Sequence, residues 1–218
     1  MALTKSRFIA QIVMLAMVAA AFPASTARAD EASPPAAALP LPLRAFAAQI
    51  KNGRSDELRG VYAPGLFAIR VVPQPNGDSA YVSAQRDAVT EFATASQYGA
   101  TGLLAHNYLA GSLFSGLIPG KTIYLIYGDG HTAAYQVSEL RRYRALQPRS
   151  PYSAFVDLKS GVQLGAGALF STVYDRPDSL ILQTCIEADG VSTWGRLFVI
   201  ATQRSHWGRT QRTLGPLT

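Results

Sequence analysis

Cys185 is the single cysteine of this 218-residue chain, and it stands where a nucleophile is easily positioned. It follows the apolar run Leu180 to Thr184, which predicts a buried strand. The end of a strand is a rigid support from which a thiol can point out of a sheet, and a thiolate attacks carbonyl carbon atoms in acyl transfer. A small buried apolar side chain is the alternative interpretation of an isolated cysteine.

Two further residues supply the groups that a thiol nucleophile needs. His106 ends the apolar run Thr101 to Ala105, and an imidazole transfers protons near neutral pH. Taken alone, such a histidine is also common at the edge of a core. Arg196 begins the apolar run Leu197 to Ala201, where a guanidinium needs a partner or a function. If this run pairs antiparallel with the run before Cys185, the cation comes close to the thiol and can stabilise an oxyanion.

The other candidate ligands do not form a metal or cofactor site. His131 lies in a turn and His206 in the polar C-terminus, so we expect both to be solvated, and the three histidines lack ligand spacing. One cysteine is too few for a CxxC zinc site, an iron–sulfur cluster or an intramolecular disulfide. We therefore expect no metal and no cofactor.

Short β-rich runs separated by turn signals must position these side chains. Thr122 to Tyr127 and Thr132 to Val137 flank Gly128-Asp129-Gly130-His131, which is typical of a hairpin. Seven or eight such strands with few helices favour a mainly β fold, namely a closed or nearly closed barrel. Ala88 to Ala95 predicts one or two helical turns. Gly161 to Ser171 is rich in Gly and Ala and weakly patterned, so we expect a long loop there.

Residues 1–29 have the features of an export signal. Lys5 and Arg7 precede an apolar run from Phe8 to Phe22, and Ala27-Arg28-Ala29 has the small-x-small form of a cleavage site. The run is shorter than the roughly 20 residues that span a bilayer. We therefore expect cleavage and a secreted or extracytoplasmic location in the cell envelope, with membrane contact only if the segment stays uncleaved.

The remaining chain divides into three parts. Residues 30–60 form a Pro/Ala-rich linker and a short helix, because Leu43, Phe46, Ala47 and Ile50 share a helix face and Asn52-Gly53 would end it. The expected domains are then 1–29 signal peptide, 30–60 linker and helix, 61–203 strand-rich catalytic domain, and 204–218 polar tail.

The charge of the chain argues against a nucleic-acid partner. The formal charge is +6, but residues 1–29 carry three basic residues and no acid, which leaves 17 basic and 14 acidic residues. Arg141, Arg142, Arg144 and Arg149 lack interleaved aromatics beyond Tyr143, so a solvated strand end or loop explains them.

The order of the motifs resembles the sortases, the cysteine transpeptidases of bacterial surfaces. In that family a strand ends in His, a hairpin follows, a later strand reads T-L-x-T-C, and the last strand begins with Arg. The matching segments are Leu104-Ala105-His106, the hairpin Thr122 to Val137, Ile181-Leu182-Gln183-Thr184-Cys185, and Arg196-Leu197-Phe198-Val199. Phe114 to Ile123 is also similar to the family's F-x-x-L-x-x-G-D-x-I stretch, and the resemblance spans about Val61 to Gln203.

Three departures mark the chain as a divergent member. Ile181 stands where the family usually has Thr, and Lys121 replaces the common Asp before the first hairpin strand. His106 is preceded by Ala105, where Gly is commoner, and is followed by Asn107.

The resemblance implies a sortase-like β-barrel and a cysteine transpeptidase or endopeptidase that cleaves an LPxTG-like sorting motif. Cys185 would attack the Thr carbonyl, His106 would protonate the leaving amine and deprotonate the incoming one, and Arg196 would hold the substrate backbone and the oxyanion. Thr184 and Asn107 are the expected substrate-binding residues. The expected partners are a peptide or protein with a sorting motif and an amine on the cell wall or on another protein; attack by water would give hydrolysis.

Two other classes of protein stay open. L,D-transpeptidases are also exported, but their S-H-G-C-x-R core is missing here, and papain-like and NlpC-type peptidases place Cys before His. The other class is a non-catalytic exported module that binds envelope peptides.

Overall fold

The structure is a computed structural model that describes residues 43–76, 78–150 and 152–204. The expected export signal, the linker as far as residue 42 and the tail from residue 205 lie outside the described residues. Within the described ranges, no helix is long and apolar enough to cross a membrane.

Strands make up most of the described chain. They are β1 Leu58–Ala63, β2 Phe67–Pro73, β3 Ala88–Glu91, β4 Thr101–Leu104, β5 Thr122–Tyr127, β6 Thr132–Ala145, β7 Phe155–Asp157, β8 Gln163–Leu164, β9 Ser179–Ala188 and β10 Val191–Gln203. The helices are short: α1 Leu43–Ile50, α2 Ala93–Ser96, a 3-10 helix Ala110–Gly116 and α3 Ala166–Tyr174.

Eight of these strands close into a barrel. Their order is β10-β9-β4-β3-β2-β1-β5-β6, and β6 pairs again with β10, so that the sheet returns to its first strand. The two short strands β7 and β8 extend from the end of β6. The mainly β, closed-barrel fold predicted from the sequence is confirmed.

Alternation along β9 and β10 divides the apolar side chains between two cores, because successive residues of a strand point to opposite faces. Leu182 and Val199 belong to the core inside the barrel. Ile181 and Phe198 belong to a second core on the outer face, where α3 and β7 cover the sheet. Cys185 lies on this outer face because it is four residues from Ile181.

The segment Gly161 to Ser171 is not the long loop that its composition predicted. It contains β8 and most of α3. Three large residues of α3, Leu169, Phe170 and Tyr174, are buried in the outer core. The buried residues of this helix share one face, but its Gly and Ala residues give little contrast between the two faces in sequence, and tertiary packing is what stabilises it here.

The helical turns predicted for Ala88 to Ala95 are only partly correct. Ala88–Glu91 is a strand, and the helix α2 begins at Ala93. The β-branched Val89 and Thr90 lie between β2 and β4 and are fully buried, an environment that favours a strand. By contrast, α1 ends at Ile50 as predicted, and β1 begins at Leu58, three residues before the expected start of the domain.

Candidate active site

β9 and β10 form an antiparallel hairpin whose register sets Arg196 directly opposite Cys185. The hairpin turns at Asp189 and Gly190, whose φ angles of 53° and 72° fit a tight two-residue turn. This is the pairing that the sequence predicted. Directly opposite residues share a face of the sheet with Cβ atoms about 5 Å apart. The cation and the thiol are therefore neighbours on the outer face of the barrel.

Cys185 does not end its strand, in contrast to the sequence-based expectation. β9 continues to Ala188, and β10 begins at Val191. The register between the two strands shifts between Val191 and Gly195, which is an irregularity of the bulge type. Bulges redirect side chains next to functional sites, and this one lies immediately before Arg196.

His106 follows β4, which runs parallel to β9. Leu104 pairs with Gln183, and the amide of Ala105 donates to the carbonyl of Gln183 at 3.1 Å. His106 lies two residues beyond Leu104, and Cys185 lies two residues beyond Gln183. The register therefore places both residues at the same end of the sheet. The three candidate residues thus come from neighbouring strands, although His106 is far from the other two in sequence.

Cys185 is almost buried, with 7% of its surface exposed. Burial raises the pKa of its thiol, and the guanidinium of Arg196 acts in the opposite direction. The neutral thiol is therefore favoured in the resting protein, and the nearby cation reduces the cost of forming the thiolate.

Arg196 is buried, with 3% of its surface exposed, and its guanidinium is held by hydrogen bonds. Its Nη1 donates to the carbonyl of Thr193 at 3.0 Å and to that of Gly195 at 2.8 Å. Its Cζ atom lies 5.7 Å from the centroid of the Phe155 ring, within the range of a cation–π contact. Burial lowers the pKa of Arg196 while Cys185 raises it. The result is a fixed cation in an environment of low polarity, where its charge acts strongly.

His106 is half-buried, and its ring has neighbours from two different segments. Burial lowers the pKa of the imidazole, and a hydrogen bond with the backbone of Val82 raises it. The ring of Tyr108 stacks on it, with centroids 5.1 Å apart and planes 21° apart. The lowered pKa favours a neutral imidazole at neutral pH, which is the form that can accept a proton from a thiol.

Thr184 and Asn107 occupy different surroundings. Thr184 pairs with Leu197 of the inner core, so it lies on the opposite face of β9 from Cys185, and its Oγ1 has no hydrogen-bond partner within the described residues. The Nδ2 atom of Asn107 donates to the carbonyl of Ser192 at 3.1 Å and so ties the segment after β4 to β10. Their roles in substrate binding stay predictions.

A surface cavity of about 500 Å³ flanks the turn of the β9–β10 hairpin. Its lining comes from the segment after β6 and from the first residue of β10: Gln147, Pro148, Arg149, Ser150 and Val191. Val191 pairs with Ala188, three residues beyond Cys185. The segment after β6 therefore forms a wall on the side of the hairpin turn.

Two aromatic residues of the site were not identified from the sequence. Tyr108 had a usable signal, because it is an aromatic residue two positions after His106. Phe155 had none, since it lies 41 positions before Arg196 and reaches it only through the pairing of β7 with β6. In the part of the chain that the structure describes, no group of three or more His, Cys, Asp or Glu residues is arranged to hold a metal ion.

No family model matches this chain, and no curated protein sequence matches it. Among solved structures, sortase C-1 from Actinomyces oris is similar, with 13% identity and a TM-score of 0.47 over 74% of this chain and 80% of that one. Sortase C1 from Streptococcus suis has 16% identity and a TM-score of 0.47 over 75% and 80%. Sortase A from Listeria monocytogenes has 15% identity and a TM-score of 0.44 over 69% and 89%.

At these identities and TM-scores, the likeness by itself assigns neither a reaction nor a substrate to this chain. Those must be argued from the residues of the chain itself. The solved structures named here are all sortases, which is the family that the sequence motifs resemble.

Proposed function

We propose that this chain is a sortase-like cysteine transpeptidase of the cell envelope, which cleaves an LPxTG-like motif and transfers the acyl group to an amine. The observation that carries the proposal is the register of β9 and β10, which sets Arg196 opposite Cys185. A thiol beside a buried, fixed cation has both the nucleophile and the oxyanion stabiliser of acyl transfer.

The first half of the reaction forms a thioester. The thiol proton of Cys185 passes to the neutral imidazole of His106, and Sγ forms a bond with the carbonyl carbon of the Thr residue of the motif. Arg196 stabilises the negative charge that develops on the carbonyl oxygen. The C–N bond then breaks, and the leaving amine takes the proton from His106.

The second half reverses these steps with a new amine. The incoming amine attacks the thioester carbonyl and loses a proton to His106. The C–S bond breaks, the new amide leaves, and the sulfur of Cys185 regains a proton. Water in place of the amine would give a carboxylic acid, which is hydrolysis.

The pKa directions favour a role for His106 as a base in the first step. Burial raises the pKa of the Cys185 thiol and lowers the pKa of the His106 imidazole. Both groups are therefore mainly neutral before substrate binds, and the thiolate forms when the proton moves to His106 with Arg196 nearby.

The peptide is proposed to lie along the outer face of the barrel near the β9–β10 turn. The cavity bordered by residues 147–150 and Val191 is located there. Leu146 and Tyr152 in the same segment expose 41% and 62% of their surfaces. These apolar groups suit the Leu and Pro side chains of a sorting motif, because exposed apolar patches on a folded domain mark binding surfaces.

Peptide cleavage tests this proposal directly. Purified protein is incubated with a library of fluorogenic L-P-x-T-x peptides, with and without a glycine-type amine, beside the Cys185→Ala variant. Cleavage that depends on Cys185, with ligation that depends on the amine, is the expected result. Cleavage without ligation would indicate a hydrolase. If none of the peptides is cleaved, the proposed substrate is contradicted.

A non-catalytic binding module is the second candidate, and the burial of Cys185 favours it. A structural cysteine in an apolar environment is inert. A small electrophile such as iodoacetamide distinguishes the two candidates: labelling of Cys185 in the folded protein supports an active site. If the thiol reacts only after unfolding, the binding module is the better interpretation.

A further inference from the structure

Tyr108 is an exposed aromatic residue whose ring has a specific partner. It exposes 59% of its surface, yet its ring lies nearly parallel to that of His106, with centroids 5.1 Å apart. Exposed tyrosines on a loop usually sample several rotamers. A stacked arrangement is one of the favoured geometries of aromatic pairs, so the contact restricts both side chains.

The backbone on both sides of Tyr108 is fixed by hydrogen bonds. The carbonyl of His106 accepts from the amides of Leu109 and Gly111, each at 3.0 Å. The side chain of Asn107 donates to the carbonyl of Ser192 on β10 at 3.1 Å. The Tyr108 ring is therefore presented to the imidazole by a segment that is itself tied to the β9–β10 hairpin.

The imidazole has a second contact from a different loop. The backbone of Val82 is close enough to raise the pKa of the imidazole, and the neighbouring amide of Ser83 donates to Thr90 Oγ1 at 2.8 Å. The carbonyl of Tyr81 accepts from the side-chain amide of Gln74 at 3.1 Å. The loop that carries Val82 is thus held on both sides of this residue.

We propose that Tyr108 is a positioning residue for His106. Its ring limits rotation of the imidazole, so that one ring nitrogen stays turned toward the Val82 backbone and the other stays available for proton transfer with Cys185. The tautomer of a catalytic histidine is set by the partner of its other nitrogen. This inference rests on the proposed function of His106 as the acid and base of the reaction.

Shielding from water is the second effect of the stack. The causes that shift the pKa of His106 are burial and the Val82 backbone, and no charged side chain of the described residues is among them. The part of the burial that Tyr108 supplies should therefore be removable by truncating that one side chain, without a change in any charge.

The experiment compares Tyr108→Phe, Tyr108→Leu and Tyr108→Ala with the unaltered full chain. Leu113→Ala is the matched control, because Leu113 is an exposed apolar residue on the same segment, with 40% of its surface accessible. Two quantities are measured. The first is the pKa of His106 by NMR titration of its ring protons, assigned through their loss in His106→Gln. The second is kcat and KM for a cleaved L-P-x-T-x peptide.

We expect Tyr108→Phe to keep the pKa of His106 and the kcat, since the ring is retained. Tyr108→Ala and Tyr108→Leu should raise that pKa toward the ordinary histidine value and lower kcat by about tenfold with little change in KM. Leu113→Ala should change neither quantity. If Tyr108→Ala leaves the pKa of His106 unchanged and kcat within twofold of the unaltered chain, the proposal is overturned. It is also overturned if Tyr108→Phe is as defective as Tyr108→Ala.

The NMR titration needs no substrate, so it separates this inference from the proposed function. A raised pKa in Tyr108→Ala but not in Tyr108→Phe supports the positioning contact even if no peptide is cleaved. Failure of peptide cleavage by the unaltered chain counts against the proposed reaction instead.

Discussion

At the scale of single residues, the thiol of Cys185 is governed by two opposing effects, burial and the guanidinium of Arg196. We expect its rate of alkylation by iodoacetamide to rise with pH, with a midpoint above the ordinary thiol value, because burial is the larger effect. In Arg196→Gln the midpoint should move higher still, since the cation that favours the thiolate is gone. Arg196→Lys keeps a cation and should stay closer to the unaltered protein. A midpoint below the ordinary thiol value in the unaltered protein would contradict this account.

The imidazole of His106 is expected to contribute as a general acid and base. His106→Gln should lower peptide turnover by a factor on the order of 10²–10⁴, measured as kcat with the fluorogenic peptide. His131→Gln is a matched control, because His131 is also a partly exposed histidine stacked on a tyrosine, Tyr127, at 4.3 Å. Equal losses in the two variants would mean that His106 has no specific function in the reaction.

The residue types of the candidate site could be predicted from sequence, whereas most of its supporting contacts could not. Cys185 and Arg196 lie in adjacent apolar runs joined by a short turn, so their pairing followed from local pattern. The contacts of Phe155 with Arg196 and of Val82 with His106 join distant segments. Such contacts depend on how the loops pack, and no periodicity in the sequence predicts that packing.

At the scale of elements, the 3-10 helix is packed directly against β9. A Cβ atom at Gly111 would meet Thr184 Oγ1 and would lie 2.7 Å from the carbonyl oxygen of His106. Backbone atoms cannot yield easily, so Gly111→Ala should lower the free energy of unfolding by roughly 1–3 kcal/mol. The expected decrease in Tm is about 2–4 °C for each kcal/mol.

Gly167→Ala is the matched control for this substitution. Gly167 lies in α3, and a Cβ atom there would have no neighbour within 4 Å. Alanine is a better helix former than glycine, so the thermal unfolding midpoint should stay the same or increase slightly. If Gly111→Ala proved as stable as Gly167→Ala, the close contact between the 3-10 helix and β9 would be excluded.

The elements themselves differed in how well the sequence predicted them. The β5–β6 hairpin was predicted with its turn, because Gly128 to His131 carries strong turn chemistry between two β-rich runs. The helix α3 was missed because its Gly- and Ala-rich sequence gives a weak pattern, although Ala166, Phe170 and Val173 share one buried face. Its helical state depends on the outer core, which exists only in the folded chain.

At the scale of the whole molecule, a partly buried acid on β3 links the stability of the barrel to pH. Glu91 ends β3 on the same face as Val89, which belongs to the core inside the barrel. β3 runs antiparallel to β4, and Glu91 pairs there with Leu103. Burial raises the pKa of the Glu91 carboxyl, and the nearby Glu57 raises it further.

This shift makes the stability of the fold depend on pH. A raised pKa in the folded state means that the neutral acid is favoured there. The stability that the neutral acid contributes is therefore present at low pH and is lost as the pH rises through the folded pKa. Glu91→Gln keeps a neutral group at every pH. At pH values above the folded pKa of Glu91, the Glu91→Gln variant should be more stable than the unaltered protein by a few tenths to about 1 kcal/mol, allowing for the water that reaches the side chain.

Chemical unfolding at several pH values measures this difference. Below about pH 4 the two proteins should have nearly equal stability, because the acid is then protonated in both the folded and unfolded states. Glu187→Gln, which changes an exposed carboxylate on β9, serves as the control. A stability gain of Glu91→Gln that is the same at every pH would contradict the account.

The double pairing of β10 has a consequence for the order in which the molecule can assemble. β10 is the last strand of the described chain, and its two edges bind β9 and β6. Until residues 191–203 are available, the N–H and C=O groups along one edge of each of those strands have no partner, and such open edges pair readily with other chains. Closure of the barrel and the pairing of Arg196 with Cys185 therefore both require β10. A chain shortened before Val191 would leave these edges open to aggregation and would also lack Arg196 beside Cys185.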